Sequence, residues 1–322
     1  MSDFHKSTRS VAAAVILSMI TSGCSNLPEK SESDSVTVAS VDLRVTDGGS
    51  PEKFLPRDGF TVPRNHKVGD TLFPYEGIGW ENELVGYRLY LDERSVTDVF
   101  GKTGGATVLQ NVDYRDNYHD PADWGLDVLK VGPSLGVGGL GLYRNGTLER
   151  FGPEPVISVS VTERAGNKAE FILSHDGIAL GDSSPRQVSA TYSIKTGSPL
   201  TWVSVKSDMP EQTLASGLVT VRGGSRMLSQ SPSAGTRSGA WRYVATWGDT
   251  ASEAGDGLGL ILFFRDDEAD LMPTTKDTYA LRFRSPTPTY AFAGVWAQGP
   301  MDITDQSGFL TWADLTLSKL NR

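Results

Sequence analysis

The sequence predicts an all-β fold: a large antiparallel β-sandwich with one or two short helices. Three observations carry this. Apolar and polar residues alternate with period two in segment after segment, which turns one face to a core and one to solvent. Gly, Pro, Asn and Asp gather between those segments. No long stretch repeats apolar residues at helical spacing, which argues against βαβ units and for two packed sheets.

Taken in order, the first strong strand signal is 84–91, where Leu84, Val85, Tyr87, Leu89, Tyr90 and Leu91 crowd together. Similar signals follow at 156–161, 168–173, 187–194, 200–206 and 218–222, then at 241–247, 279–284 and 290–296. Segment 258–264 is apolar throughout and should be a central strand, covered on both faces. Short helices are expected near 95–100 and at about 310–320. Tyr143-Arg144-Asn145-Gly146 carries a hairpin-turn signature. The Gly/Ser stretch 223–239 reads as a long loop inside the domain. No repeat of fixed period and no Pro/Ser-rich linker divides the chain.

The first residues read as a processing signal. His5, Lys6 and Arg9 precede an apolar run, 11–20, broken only by Ser18, and Thr21-Ser22-Gly23 places small residues before Cys24. The run is about half the length that crosses a bilayer. Cys24 stands where a lipid-modified cysteine belongs, although Thr21 replaces the usual Leu. The expected organisation is a lipoprotein signal over 1–23, a polar flexible tether over 24–40 and one β-sandwich domain over 41–322. Ser25 gives no inner-membrane retention signal, so the expected location is the outer membrane or periplasm. The lipid on Cys24 would be the only membrane contact.

Composition narrows the chemistry. The formal net charge is −9, with no Lys/Arg-rich run, so nucleic acid is excluded as a partner. Cys24 is the only cysteine, which rules out an intramolecular disulfide and any cysteine-based zinc or iron–sulfur site. No cofactor is expected, and a bound divalent metal is left open. Gly136-Val137-Gly138-Gly139-Leu140-Gly141 is a literal GxGxxG, but no helix pattern follows to meet a pyrophosphate. It reads instead as a tight loop where backbone passes close to its neighbours. Asn145-Gly146-Thr147 matches a glycosylation sequon by chance, and the acidic group Asp266, Asp267, Glu268 and Asp270 lacks calcium-loop spacing and reads as a solvated turn.

The densest chemical stretch is 114–127, with Tyr114, Arg115, Tyr118, His119, Trp124 and Asp127 among Pro121 and Gly125. Such a loop suits ligand binding, because Trp stacks on a sugar's apolar face while Arg, Asp and Asn meet hydroxyls or a carboxylate. A second candidate is Trp80-Glu81-Asn82-Glu83. On one extended strand Trp80, Asn82, Arg88 and Tyr90 would share a face. His66 lies in a loop that could join the same cleft. His175, in Ser174-His175-Asp176-Gly177, reads as a hairpin turn without a functional role.

Three segments carry a resemblance. They are Gly79-Trp80-Glu81-Asn82-Glu83 with Tyr87-Arg88-Leu89-Tyr90-Leu91-Asp92; then Asp98-Val99-Phe100-Gly101-Lys102; then Tyr118-His119 with 123–132. Together they resemble domain-of-unknown-function family four-eight-six-one, over nearly all of the mature chain. The resemblance implies an exported protein of polysaccharide-degradation loci, with a galactose-mutarotase-like supersandwich. It also implies elimination chemistry on oligosaccharides ending in a uronate.

Such elimination needs a base for the C5 proton, an acid for the departing oxygen and a group to hold the carboxylate. The residues assign His119 as base, Tyr118 or Tyr114 as acid and Arg88 or Arg115 as carboxylate partner. Trp80 and Trp124 would form a stacking platform, His66 is a reserve for either proton role, and Asn82 and Lys130 complete the expected substrate contacts. Loss of water would make the enzyme a dehydratase, and loss of a sugar a lyase. Two other readings stand beside it: a mutarotase-like epimerase using Glu81 or Glu83 as base, and a non-catalytic glycan-binding lipoprotein.

Overall fold

A computed structural model describes residues 38–47, 50–181, 184–221, 226–229, 239–249 and 252–322. The expected signal, Cys24, nearly all of the tether and most of the 223–239 loop lie outside them. The contacts of Val36–Arg322 form one unit.

The architecture is an antiparallel sandwich. One layer is a nine-stranded sheet in the order Met227–Leu228, Trp241–Gly248, Leu258–Arg265, Thr289–Trp296, Thr201–Ser207, Arg186–Lys195, Lys168–Ile178, Val156–Glu163 and Gly59–Thr61. Facing it are two smaller sheets. The six-stranded one runs Ala165–Gly166, Ala39–Asp42, Gly77–Glu81, Gly86–Tyr90, Thr97–Lys102 and Gly125–Asp127. The five-stranded one runs Thr147–Glu149, Gly141–Arg144, Leu214–Val219, Thr278–Phe283 and Ala269–Leu271.

Alternation does what it promised. From Lys168–Ile178, Ala169, Phe171 and Leu173 point into the core; Val188, Ala190, Tyr192 and Ile194 do so from the next strand. The layers meet through aromatic contacts. Trp80 lies 5.1 Å from Phe171 and 5.7 Å from Tyr192, Tyr87 lies 5.4 Å from Phe292, and Phe283 lies 5.1 Å from Tyr290. Burying each such ring contributes about 1.5–3 kcal/mol.

Leu258–Arg265 explains its own uninterrupted apolarity. Leu258, Leu260, Leu262 and Phe264 face the sandwich core, while Ile261 and Phe263 face a helix, Gln306–Leu320, that covers the outer side with Phe309 and Ala313. That helix starts earlier than expected, because Asp305 caps it by accepting from the Gly308 amide at 2.8 Å. No helix of the described residues is long and apolar enough to cross a membrane.

Four local expectations are corrected. Segment 95–100 is not a helix; Thr97–Lys102 is a strand, paired on both sides, so sheet hydrogen bonds override a weak helical pattern. His175 is not in a turn but inside Lys168–Ile178, facing the core. The strand expected at 218–222 is Leu214–Val219. Trp80 and Arg88 do not share a face, for a reason given below. By contrast, Asn145 (φ 52°) and Gly146 (φ 80°) form the expected hairpin turn. The GxGxxG stretch is a close-packed loop, since a Cβ on Gly136 would lie 1.7 Å from the Thr97 carbonyl oxygen.

Candidate functional site

The outer face of the six-stranded sheet, away from the core, carries an unusual set of side chains. Gly77–Glu81 and Gly86–Tyr90 are joined by the turn 82–85, and the register pairs Trp80 with Tyr87 and Gly79 with Arg88. Residues of even number on the first strand therefore face the same way as residues of odd number on the second. Trp80, Tyr87 and Leu89 enter the core; Glu81, Arg88 and Tyr90 point outward. Thr97–Lys102 adds Asp98, Phe100 and Lys102 to that outer face, and Gly125–Asp127 adds Asp127 opposite Phe100. The loop 109–124 roofs this surface with Leu109, Val112 and Tyr118, packed with Tyr75 and Phe100.

Arg88 is the centre of the cluster. It is fully buried. Its Nη2 donates to Tyr90 Oη at 2.7 Å and to Asp98 Oδ2 and Asp127 Oδ2 at 2.5 Å each; its Nη1 donates to Tyr118 Oη at 3.2 Å. Tyr90 Oη in turn donates to Asp98 Oδ2 at 2.6 Å. Glu76 Oε2 lies 3.7 Å from Nη1. Burial opposes the charge on Arg88, but Asp127, Tyr90, Asp98 and Tyr118 outweigh it and raise its pKa, so it stays cationic. Burial pushes Asp127 well above the ordinary carboxylate range, further than Arg88 pulls it down. Burial likewise raises the Tyr118 phenol against the pull of Arg88.

His119 sits at the rim of this cluster. Its Nδ1 is 3.2 Å from Asp127 Oδ2, and its side chain is 54% exposed. Its ring centroid lies 4.6 Å from that of Tyr118, whose backbone carbonyl accepts from the Asp127 amide at 2.8 Å. The imidazole thus has a buried carboxylate beside Nδ1 and half of its side chain open to solvent, an arrangement suited to proton transfer. A cavity of about 210 Å³ opens beside Tyr118, lined also by Phe73, Tyr75, Glu76 and Tyr114 among others.

The structure brings together His119, Tyr118 and Arg88, with Tyr114 on the cavity wall 5.9 Å from the Phe54 ring. Arg88, however, is buried and engaged, so it cannot itself meet a substrate carboxylate. Trp80 is no platform: it is 1% exposed, in the core, donating to Thr201 Oγ1 at 2.8 Å. Asn82 is buried and donates to the Lys195 and Ser198 carbonyls at 2.7 Å, which makes it a loop brace. Arg115 binds its neighbour Asp113 at the start of a 3-10 turn, by Nε at 2.8 Å. Trp124 is half-buried, its ring 5.9 Å from Phe100. Lys130 lies 3.8 Å from Glu253 and lines a separate cavity of about 640 Å³ with Lys276 and Tyr279. His66 packs on Phe73 and lies 3.5 Å from Asp70, lining a small pocket with Asp92 and Glu93.

Of the two carboxylates considered as an epimerase base, Glu81 is fully engaged and Glu83 is engaged through one oxygen, its Oε2 having no hydrogen-bond partner among the described residues. Glu81 is buried, bound to Lys102 Nζ at 2.7 Å and to the amides of Val108 and Leu109 at 2.8 Å. Glu83 accepts from the Gly197 amide. Among the described residues no cluster of three or more His, Cys, Asp or Glu is arranged to hold a metal ion.

Sequence reasoning gave no site role to Glu76, Arg94 or Asp98, and placed Tyr90 and Asp127 in candidate segments without assigning them one. The signal was available for three of them. Period-two alternation on adjacent strands, read with the hairpin in place, puts Tyr90, Asp98 and Asp127 beside Arg88. Glu76 lies in a turn with no periodicity, and its left-handed backbone (φ 68°) is visible only in the structure.

A two-layer antiparallel sandwich with a buried arginine–carboxylate cluster under an exposed histidine defines the structural class. The chain belongs to the family described as Domain of unknown function (DUF4861), whose match covers residues 26–322. No curated protein matches the sequence.

Proposed function

We propose that this protein is a carbohydrate-active enzyme that eliminates water or a sugar from the uronate end of oligosaccharides, leaving an unsaturated uronate. The observation that carries this is the half-exposed His119 with buried Asp127 3.2 Å from its Nδ1 and the Tyr118 ring tilted against it at 4.6 Å. With Asp127 Oδ2 3.2 Å from Nδ1, a proton carried on Nδ1 leaves the Nε2 lone pair to take the C5 proton. The electrons of that C–H bond form the C4–C5 double bond, and the C4–O bond breaks. Tyr118, kept protonated by burial, gives its proton to the departing oxygen. Arg88 is a positioning residue: it fixes Asp127 and Tyr118 together and stabilises the cluster when the proton moves.

The mutarotase-like reading gains no support, since Glu81 is committed to Lys102. The glycan-binding reading loses Trp80 as a platform. The signal-like stretch ahead of the domain supports export of this activity, with a lipid on Cys24 as the anchor at the outer membrane or in the periplasm. Incubation with uronate-terminated oligosaccharides, followed by the ultraviolet absorbance of a conjugated enol ether, tests the reaction. The expected result is a signal that His119→Ala abolishes. Binding without product, or a change of anomer ratio alone, would refute elimination.

A further inference from the structure

Glu76 and Arg94 stand out once the histidine and Arg88 are assigned. Arg94 lies in the turn between Gly86–Tyr90 and Thr97–Lys102, and its guanidinium stacks on the Tyr90 ring, 3.8 Å from the centroid. Tyr90 is itself fixed by Arg88 and Asp98, so the guanidinium plane is held flat. Two carboxylates meet it, and they differ in kind. Asp92, two residues away and almost buried, binds Nε at 3.0 Å and Nη2 at 2.5 Å and belongs to the turn. Glu76 reaches across from another segment to Nη2 at 2.9 Å, with 27% of its side chain exposed.

Glu76 does three things at once. One oxygen is on Arg94 and the other is 3.7 Å from Arg88 Nη1, so its carboxylate bridges two guanidiniums. It lines the cavity beside Tyr118 and Tyr114. It does so from a left-handed backbone that costs a non-glycine residue on the order of 1–2 kcal/mol. A strained, partly exposed carboxylate clamped between two cations at the mouth of a cavity has the chemistry of a placeholder.

We propose that Arg94 is the receptor for a ligand carboxylate, and that Glu76 occupies it in the free protein and is displaced when a carboxylate-bearing sugar enters. Planar guanidinium and carboxylate match in a two-point contact, and the Tyr90 ring and Asp92 hold the plane ready. The inference rests on the carbohydrate reading only for the sugar part of the ligand. It supplies the group that Arg88, being buried and engaged, cannot be.

The test is binding without turnover, so it is independent of whether His119 is a base. D-glucuronate is titrated calorimetrically, with D-glucose as neutral control, into wild type, Glu76→Gln, Arg94→Gln and Arg94→Lys. Each variant's unfolding midpoint is recorded, and Arg94→Lys serves if Arg94→Gln does not fold. The expected result is glucuronate binding without glucose binding, at least about fivefold tighter in Glu76→Gln, where the competing charge is gone. Both Arg94 variants should weaken it by about tenfold or more. Equal binding of the two sugars, no glucuronate binding by wild type or Glu76→Gln, or weaker binding in Glu76→Gln would overturn the proposal. A failed elimination assay with intact glucuronate binding would remove the reaction and leave this receptor standing.

Discussion

Two buried ion clusters share the outer face of the six-stranded sheet, a few residues apart. In the first, Lys102 meets Glu81 and the Asn82 carbonyl, and Glu81 also accepts two backbone amides. Both of its side chains are closed to solvent and their polar atoms are used. In the second, Arg88 gathers Asp98, Asp127, Tyr90 and Tyr118, yet Arg88 Nε and Asp127 Oδ1 have no hydrogen-bond partner among the described residues. Asp127 then reaches an exposed histidine. A closed, satisfied pair is what a sheet needs to bury charge under a loop. A cluster with unspent hydrogen-bonding capacity and one side open to water is what chemistry needs.

The largest expected effect separates the two clusters by function. His119→Ala should lower turnover by about 10²–10⁴-fold, the usual contribution of a positioned base. Asp127→Asn should lose a comparable amount, because the imidazole loses its acceptor. Its stability should move the other way. A carboxyl whose folded pKa is raised binds its proton more tightly when folded, so ionisation at neutral pH works against the fold. Asp127→Asn removes that ionisation, and its unfolding midpoint at pH 7 should equal or exceed that of wild type. A variant that is both inactive and strongly destabilised would place Asp127 with the structural cluster instead.

Next in size is the closed pair. Lys102→Met strands a buried carboxylate whose pKa burial already raises. The cost should be about 3–5 kcal/mol in urea denaturation. Glu81→Gln with Lys102→Met keeps an acceptor for the Val108 and Leu109 amides and should recover much of it. Turnover per folded molecule should stay near wild type in the double variant. If the double variant folds well but is inactive, the two clusters are one functional unit.

This contrast was half legible in the sequence. The strands and their order of faces follow from period-two alternation, and the covered strand at Leu258–Arg265 announced itself by having no polar face. The site loop was legible as well, since Tyr118 and His119 stand in a stretch too rich in polar and aromatic groups for a plain turn. What failed was parity. Treating 80–90 as one continuous strand put Trp80 with Arg88, whereas four turn residues reverse the relation and send Trp80 into the core. The same error hid Asp98 and Asp127, whose place beside Arg88 depends on strand pairing. Glu76 and Arg94 depend on turns whose backbone angles no alternation encodes. His175 was missed as a core residue because Asp176-Gly177 looks like a turn, while the strand in fact bulges there and continues to Ile178.

A smaller effect follows from the buried histidine. His175 is buried with Nε2 2.6 Å from Ser95 Oγ, and burial lowers its pKa from 6.5 to about 3. A histidine kept neutral in the fold gains no proton until pH 3, whereas the unfolded chain takes one up below pH 6.5. Its contribution is therefore complete above pH 6.5 and is lost progressively as pH falls toward 3. The slope is about 1.4 kcal/mol per pH unit, or about 2 kcal/mol between neutrality and pH 5. His175→Gln should flatten this limb, as measured by urea unfolding at pH 7 and 5. Identical slopes in wild type and His175→Gln would mean that burial does not keep the ring neutral.

The smallest effect concerns Arg115, which lies in the site loop yet belongs to neither cluster. It binds Asp113 across two residues, and its own guanidinium is half exposed, so water competes for the arginine side of the pair. Arg115→Ala should leave the unfolding midpoint and the turnover where they are. Arg94→Ala, by contrast, should raise the KM for a carboxylate-bearing substrate. The two arginines carry the same charge, but Arg94 lies over the Tyr90 ring and shares Glu76, which lines the cavity with Tyr118. If Arg115→Ala instead raised KM while Arg94→Ala did not, the anion would bind outside the loop roof, and the outer face of the sheet would lose its claim as the substrate surface.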